Sequence, residues 1–258
     1  MAQGGSNETE EEEGSESTDS ESEVHNSDNV LDAQLDEALN LHRLPCVAHT
    51  SQLVLKEINK NTAYSNLISK ARGIVKNVRV SSVATQMLID KCGKTVVKDC
   101  ATRWNSVYFM INRLIEIKPS LSAVLEELTM DSLLFTEWAR LVELKKILLP
   151  FKQQTDMMQT DTVALSNLIP CILELILNLQ EPSLAKSITI PLLQSIRRRF
   201  ANFLDASSDS FDPIPAAASF LDPTTSVAMF RDDMVHQLAA AMTYIKQLFE
   251  LTATQLVG

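Results

Sequence analysis

The chain is predicted to be mainly α-helical, and three observations predict it. After Leu44, apolar residues recur at i, i+3, i+4 and i+7 through almost every stretch. The apolar set is dominated by Leu, Ile, Ala and Met, with only 6 Gly and 5% aromatic residues among 258, a mixture that favours helices over twisted sheets. Residues suited to helix ends (Ser, Thr, Gly, Pro) fall at the borders of the periodic stretches. The expectation is eight or more helices with at most one or two short strands.

Taken in order, the chain opens on an acidic tail. Residues 1–40 hold 13 Asp or Glu and no Lys or Arg, so the rest carries 33 − 13 = 20 acids against 23 bases, about +3. The division expected is therefore a tail, 1–40, and a mostly helical body, 41–258. EEEGSESTDSESE lies at the centre of the tail. Such a tract cannot bury enough apolar surface to offset its ordering entropy, so a disordered N-terminus is expected. Its Ser and Thr among acids suit an acid-directed kinase. Leu31, Leu35 and Leu39 recur every four residues and read as a marginal helix leading into the body.

In the body, HTSQLVLKEI reads as a helix capped by Thr50 or Ser51, aligning Leu53, Val54 and Ile58. YSNLISKARGIVKNV places Tyr64, Leu67, Ile68, Ala71, Ile74, Val75 and Val78 on one face. SSVATQMLIDKC should end at Gly93 as a C-cap. KTVVKDC, residues 94–100, is the best extended piece. RWNSVYFMINRLIEI puts Trp104, Val107, Tyr108, Ile111, Leu114 and Ile115 together, and Pro119 suits the first turn of the next helix. LFTEWARLVELKKILLPF aligns Trp138, Leu141, Val142, Leu144, Ile147 and Leu148 up to a break or kink at Pro150. Further helices are expected over 163–179, 184–204 and 226–255, two of them disturbed by Pro170 and Pro191. FDPIPAAASFLDPTT, 211–225, reads as a Pro-punctuated connector with a short apolar stretch.

Several function classes find no support. The N-terminal stretch lacks the apolar region of a signal peptide. No apolar run reaches the ~18 residues of a membrane span, so no membrane partner is expected. The four cysteines form no CxxC pair, which suits free thiols in a reducing compartment. Nucleophile elbows, P-loops and GxGxxG are absent, and no pair of carboxylates sits on a rigid strand.

Three clusters could carry chemistry. Cys46 and His49 form CxxH, but a zinc site needs about four N or S ligands and no second tight pair exists. The packing alternative buries Cys46 as a small hydrophobe and sets His49 near a helix N-terminus, within reach of a backbone or phosphate group. In DCATRWNS, residues 99–106, Thr102 or Asp99 suits a helix cap, Arg103 suits a carboxylate or phosphate, and Trp104 suits either a base or the core. Arg197, Arg198 and Arg199 spread over about 200° of a helix and cannot share a face. They and Lys145–Lys146 read as solvated surface.

In combination these motifs resemble the transposases of the hAT superfamily and their vertebrate descendants, the zinc finger BED domain-containing proteins. CVAHTSQLVL (46–55), DCATRWNSVYFMINRL (99–114), ELKKILLPFKQQTDMMQ (143–159), SNLIPCILELI (166–176) and AAASFLDPTT (216–225) occur in that family's order, over about residues 41–230. The resemblance implies the helical insertion of an RNase H-like core. It implies Cys46 and His49 as the family's CxxH, and Arg103 and Trp104 as its Arg-Trp pair, with Arg103, Trp104 and His49 as nucleic-acid contacts. The family's divalent metal is held by two Asp and one Glu, and its zinc by a BED finger. Neither set is found here, so no catalytic residue, no metal ligand and no cofactor is expected. The resulting expectation is a truncated, catalytically inactive, nuclear protein that binds DNA or protein and acts in transcription, its acidic tail meeting nuclear proteins. The alternatives are part of an active DNA transposase and a helical interaction scaffold. The oligomeric state is left open.

Overall fold

The computed structural model describes residues 46–100, 104–158 and 164–257. The acidic tail, the Leu31–Leu39 repeat, Thr102 and Arg103 lie outside the described residues. What is described falls in one compact unit, Pro45–Gly258. Its α-helices are α1 (Val47–Leu55), α2 (Thr62–Val80), α3 (Ser82–Cys92), α4 (Trp104–Glu116), α5 (Lys118–Glu127), α6 (Phe135–Met157), α7 (Leu168–Leu179), α8 (Lys186–Arg199), α9 (Ala201–Leu204), α10 (Ile214–Leu221) and α11 (Val235–Val257). Short 3-10 turns cover Lys56–Lys60, Leu165–Asn167, Ser226–Phe230 and Asp232–Met234. Among the described residues there is no strand, and the fold is mainly α as the apolar period predicts.

Helix α6 is the axis. It packs against α1, α2, α4 and α7, and its buried stripe runs through Trp138, Leu141, Leu144, Ile147, Leu148 and Phe151 to Gln154. Val142, expected in that stripe, is largely exposed. Pro150 does not break the helix, which continues for seven more residues. Pro170 sits in the first turn of α7, where no intrahelical N–H is needed, and Pro191 lies within an unbroken α8. Around this axis α3 packs on α2 and α5, α1 on α8, and α10 on α7 and α11.

The local signals explain most boundaries. The Asn61 carboxamide accepts from the N–H groups of Ala63 and Tyr64 and starts α2. The Ser81 hydroxyl accepts from Ala84 N–H and starts α3. Gly93 closes α3 at φ 68°, the left-handed C-cap that its sequence position predicts. At α6, the Glu137 carboxylate accepts from Leu134 N–H at 2.7 Å and from Lys70 Nζ at 2.6 Å, which ties α2 to the start of the axis.

Several expectations fail for physical reasons. Neither Thr50 nor Ser51 caps α1, which begins at Val47 with Cys46 in the N-cap position. Thr50 donates back to Cys46 O at 3.1 Å, and Ser51 turns inward. The 163–179 helix begins as a 3-10 turn and becomes α-helical only at Leu168. The 184–204 stretch breaks at Phe200, whose buried ring occupies the turn between α8 and α9. Of 226–255, Ser226–Phe230 and Asp232–Met234 form 3-10 turns, and α11 begins at Val235. The connector at 211–225 contains the buried helix α10, with Ala216, Ala217 and Ser219 inside. Small side chains let this short helix approach its neighbours closely, a packing effect that no period in eight residues can announce.

One buried polar pair crosses the axis. The Ser51 hydroxyl donates to Gln154 Oε1 at 2.8 Å, while Gln154 Nε2 is buried without a partner among the described residues. Replacing Ser51 by Ala strands both ends of that amide, and should cost about 1–3 kcal/mol in chemical denaturation. The double change Ser51→Ala with Gln154→Leu should recover most of the loss, because no polar atom is then left unsatisfied. A second outcome concerns pH. Lys70's hydrogen bond, aided by the Leu134 N–H, holds the Glu137 carboxyl below its usual 4.5. A depressed carboxyl pKa stabilises the fold above the unfolded value and loses that effect as pH falls through the folded value. The Glu137→Gln variant should therefore be about 0.5–1 kcal/mol less stable than the parent at pH 7, the gap closing below about pH 4.

Candidate nucleic-acid interface

The helix that follows the CxxH motif meets the start of the helix that Trp104 opens. Helix α1 carries His49 and Gln52, with Cys46 at its N-cap, and the Gln52 carboxamide oxygen accepts from the Trp104 backbone N–H at 2.9 Å. This caps the first turn of α4 from another helix, since helix N-termini leave their first N–H groups without intrahelical partners. His49 and Gln52 are one turn apart and share a face of α1. So His49, Gln52 and the N-terminus of α4 form one locus, with the His49 side chain exposed.

Cys46 departs from expectation. It is exposed, not buried, because it precedes the first turn and the inward positions of α1 go to Val47, Thr50, Ser51, Val54 and Leu55. Trp104 is 8% exposed and belongs to the core with Val107, Met110, Ile111 and Leu114. A base can stack only on an exposed ring face, so in this conformation Trp104 fixes α4 rather than offering a stacking platform. Arg103 lies outside the described residues. Of the triple arginine, Arg198 pairs with Glu57 at 3.5 Å and the Arg199 Nε donates to the Ser195 hydroxyl at 3.3 Å.

Among the described residues no three His, Cys, Asp or Glu side chains gather into a group that could hold a metal ion. That donor set fits neither zinc at CxxH nor the divalent metal that the resemblance implies, and no chemical step is derived through either. Cys46, Cys92 and Cys171 carry free thiols. Burial, then the nearby Glu174 charge, pushes the Cys171 thiol up to about 11.

Beside the α1–α4 locus lies a feature that motif reading missed. A cleft of about 870 Å³ is lined by Arg72, Val75, Lys76, Arg79 and Val80 of α2, by Lys98, Asp99 and Cys100, and by Ser106 of α4. Among the described lining residues four cations face one acid, and that acid is already engaged. Arg72 donates through Nε and Nη2 to Asp99 Oδ2, each at 2.7 Å, and the Asp99 side chain is only 7% exposed. Lys76, Arg79 and Lys98 are exposed and have no ion pair among the described residues. The signal that finds this wall is simple. Arg72, Lys76 and Arg79 stand at i, i+4 and i+7, one face of a helix.

The opposite wall, residues 94–100, is extended as predicted, with a single backbone bridge at Cys100. Side chains also hold it. Arg113 donates to Thr95 O at 2.7 Å, Val96 is buried, Arg72 holds Asp99, and the Ser106 hydroxyl accepts from Cys100 N–H at 2.7 Å. Lys98 is thereby presented to the cleft.

Removing the inter-helix cap should loosen this arrangement. Gln52→Ala should cost about 1 kcal/mol of stability, the usual value of a lost N-cap. It should also shift Trp104 emission to longer wavelength as water reaches the start of α4. A variant that is less stable but has unchanged emission would place the effect elsewhere on α1.

Two similarities to known proteins agree with this geometry. Residues 44–146 match the family described as the ZBED1 RNase-like helical domain, a stretch that contains the whole α1–α4 locus and every residue lining the cleft. The chain is also 26% identical over 202 residues to the zinc finger BED domain-containing protein 4 of Homo sapiens, covering 74% of this chain and 17% of that protein. The chain thus spans about a sixth of that relative's length. Residues 44–146 are thus similar to a ZBED1-type RNase-like helical domain, and the chain is similar to one stretch of a zinc finger BED domain-containing protein, in keeping with an all-helical described structure.

Proposed function

We propose that this chain serves as a DNA-binding part of a nuclear, transposase-derived protein, and that it acts by contact rather than by cutting. The observation that carries the reading is the basic cleft beside the α1–α4 locus, where three cations without ion pairs face solvent. Cations on one surface attract the phosphate backbone and release its counterions, which gives affinity without sequence preference. Contact through cations asks for no metal ligands, whereas metal-assisted strand cleavage does. A nuclear location, suggested by the similarity to a BED-type protein, and a role in transcription belong to the same proposal.

A protein-contact role is the second reading, and α11 favours it. Val235, Leu238, Met242, Ile245 and Phe249 alternate at three- and four-residue steps, and Val235, Met242 and Phe249 are exposed. This is the spacing with which one helix receives another. The acidic tail offers a further surface for basic nuclear partners.

The first reading is tested by the salt dependence of binding to a labelled 20-base-pair duplex and to a hairpin. Binding should weaken steeply with salt, and Arg103→Gln should weaken it further about threefold or more. Incubation with magnesium or manganese should leave the DNA intact. Salt-independent binding, or nicked product, would remove this reading.

A further inference from the structure

We infer that the cleft between α2 and residues 98–100 is a binding site for single-stranded nucleic acid, its phosphodiester backbone running along Lys76, Arg79 and Lys98. This deepens the DNA-binding reading and rests on it.

The charges left over point to a polyanion. Elsewhere on the described surface several basic side chains are neutralised, as Lys60 is by Glu57, Lys70 by Glu137 and Lys91 by Glu127, and others such as Lys56 and Lys146 stand singly in solvent. The cleft differs in gathering its cations: among its described lining residues the one acid is consumed by Arg72, and three cations remain. They do not converge on a point. Lys76 and Arg79 stand about 4.5 Å apart along the axis of α2 at 1.5 Å per residue, and Lys98 stands on the facing wall. A line of solvated, flexible cations suits repeated phosphates better than a single small anion, which needs converging, rigid donors.

Size favours a strand over a duplex. A volume of 870 Å³ equals a cube of about 9–10 Å edge. B-DNA is too wide to enter, since its major groove alone is about 12 Å across. A duplex could touch only the rim, whereas one strand can lie inside. The cleft's apolar surface has a use in that case. Val75 lines it and Val80, 79% exposed, stands at its edge without a partner. Sugars and base edges of an unpaired strand would cover them. Base pairs keep those edges to themselves.

Arg72 is a positioning residue here. Its two bonds to Asp99 fix the wall that carries Lys98, and it is not counted among the phosphate contacts.

The test uses the full chain and fluorescence anisotropy with a labelled twelve-nucleotide oligothymidylate and a duplex of equal length. The strand should bind at least fivefold tighter than the duplex. A triple variant, Lys76→Gln, Arg79→Gln and Lys98→Gln, alters exposed side chains only. It should lose tenfold or more in strand affinity at low salt, and its salt slope should fall by about 2, or 0.7 per phosphate contact for three contacts. The control Lys145→Gln, Lys146→Gln should keep the parent slope. A duplex bound as well as the strand would overturn the strand inference and leave the DNA-binding reading standing. An unchanged slope in the triple variant would overturn the site. Polyglutamate displacing the strand at equal charge concentration would show an acidic-peptide surface instead. Failure of strand, duplex and hairpin alike to bind would overturn both.

Discussion

The packing of four helices on α6 is the constraint on which the rest depends. Helices α1, α2 and α4 each carry a wall or corner of the candidate interface, and each rests on α6 directly. None could hold its place alone, because helices of 9 to 19 residues are marginal in water without an apolar face to bury. The stripe from Trp138 to Phe151 supplies that face. The Ser51–Gln154 bond then sets the rotation of α1 on it, since an apolar contact alone allows sliding and a buried hydrogen bond does not.

Much of this was legible in the sequence. The period along α2 predicts its whole buried face, Tyr64 to Val78, because one side of that helix meets the core and the other meets water. Gly93 announces the end of α3, and Pro119 the start of α5, because each residue type has few backbone options. The illegible parts are tertiary. Nothing local says that Gln52 will cap a helix 52 residues away, or that Asp99 will be taken by Arg72 instead of by the helix that follows. Helix α10 is hidden because a short apolar stretch between prolines reads as a connector, yet the small size of its Ala and Ser is why the segment packs. Cys46 was misread because position relative to the first turn, not side-chain polarity, decides its exposure.

The candidate interface teaches a related point. Adjacent arginines draw the eye, yet Arg197 to Arg199 diverge around their helix and two of them find intramolecular partners. The cations that gather are separated in sequence, on α2 and on an extended segment 19 residues further along, from Arg79 to Lys98. Surface charge becomes a field when geometry concentrates it and when acids nearby are already occupied. Both conditions hold in the cleft.

The wall formed by residues 94–100 has one further consequence. A strand in a sheet takes its position from a ladder of backbone bonds, and can move only by whole registers. Over residues 94–99 this wall takes its position largely from the side chains of Arg72 and Arg113, and only at Cys100 from a backbone bridge as well. The gap it bounds is therefore graded rather than stepped: a side chain one carbon shorter at either arginine asks the wall to move by a fraction of a residue, which a ladder does not allow.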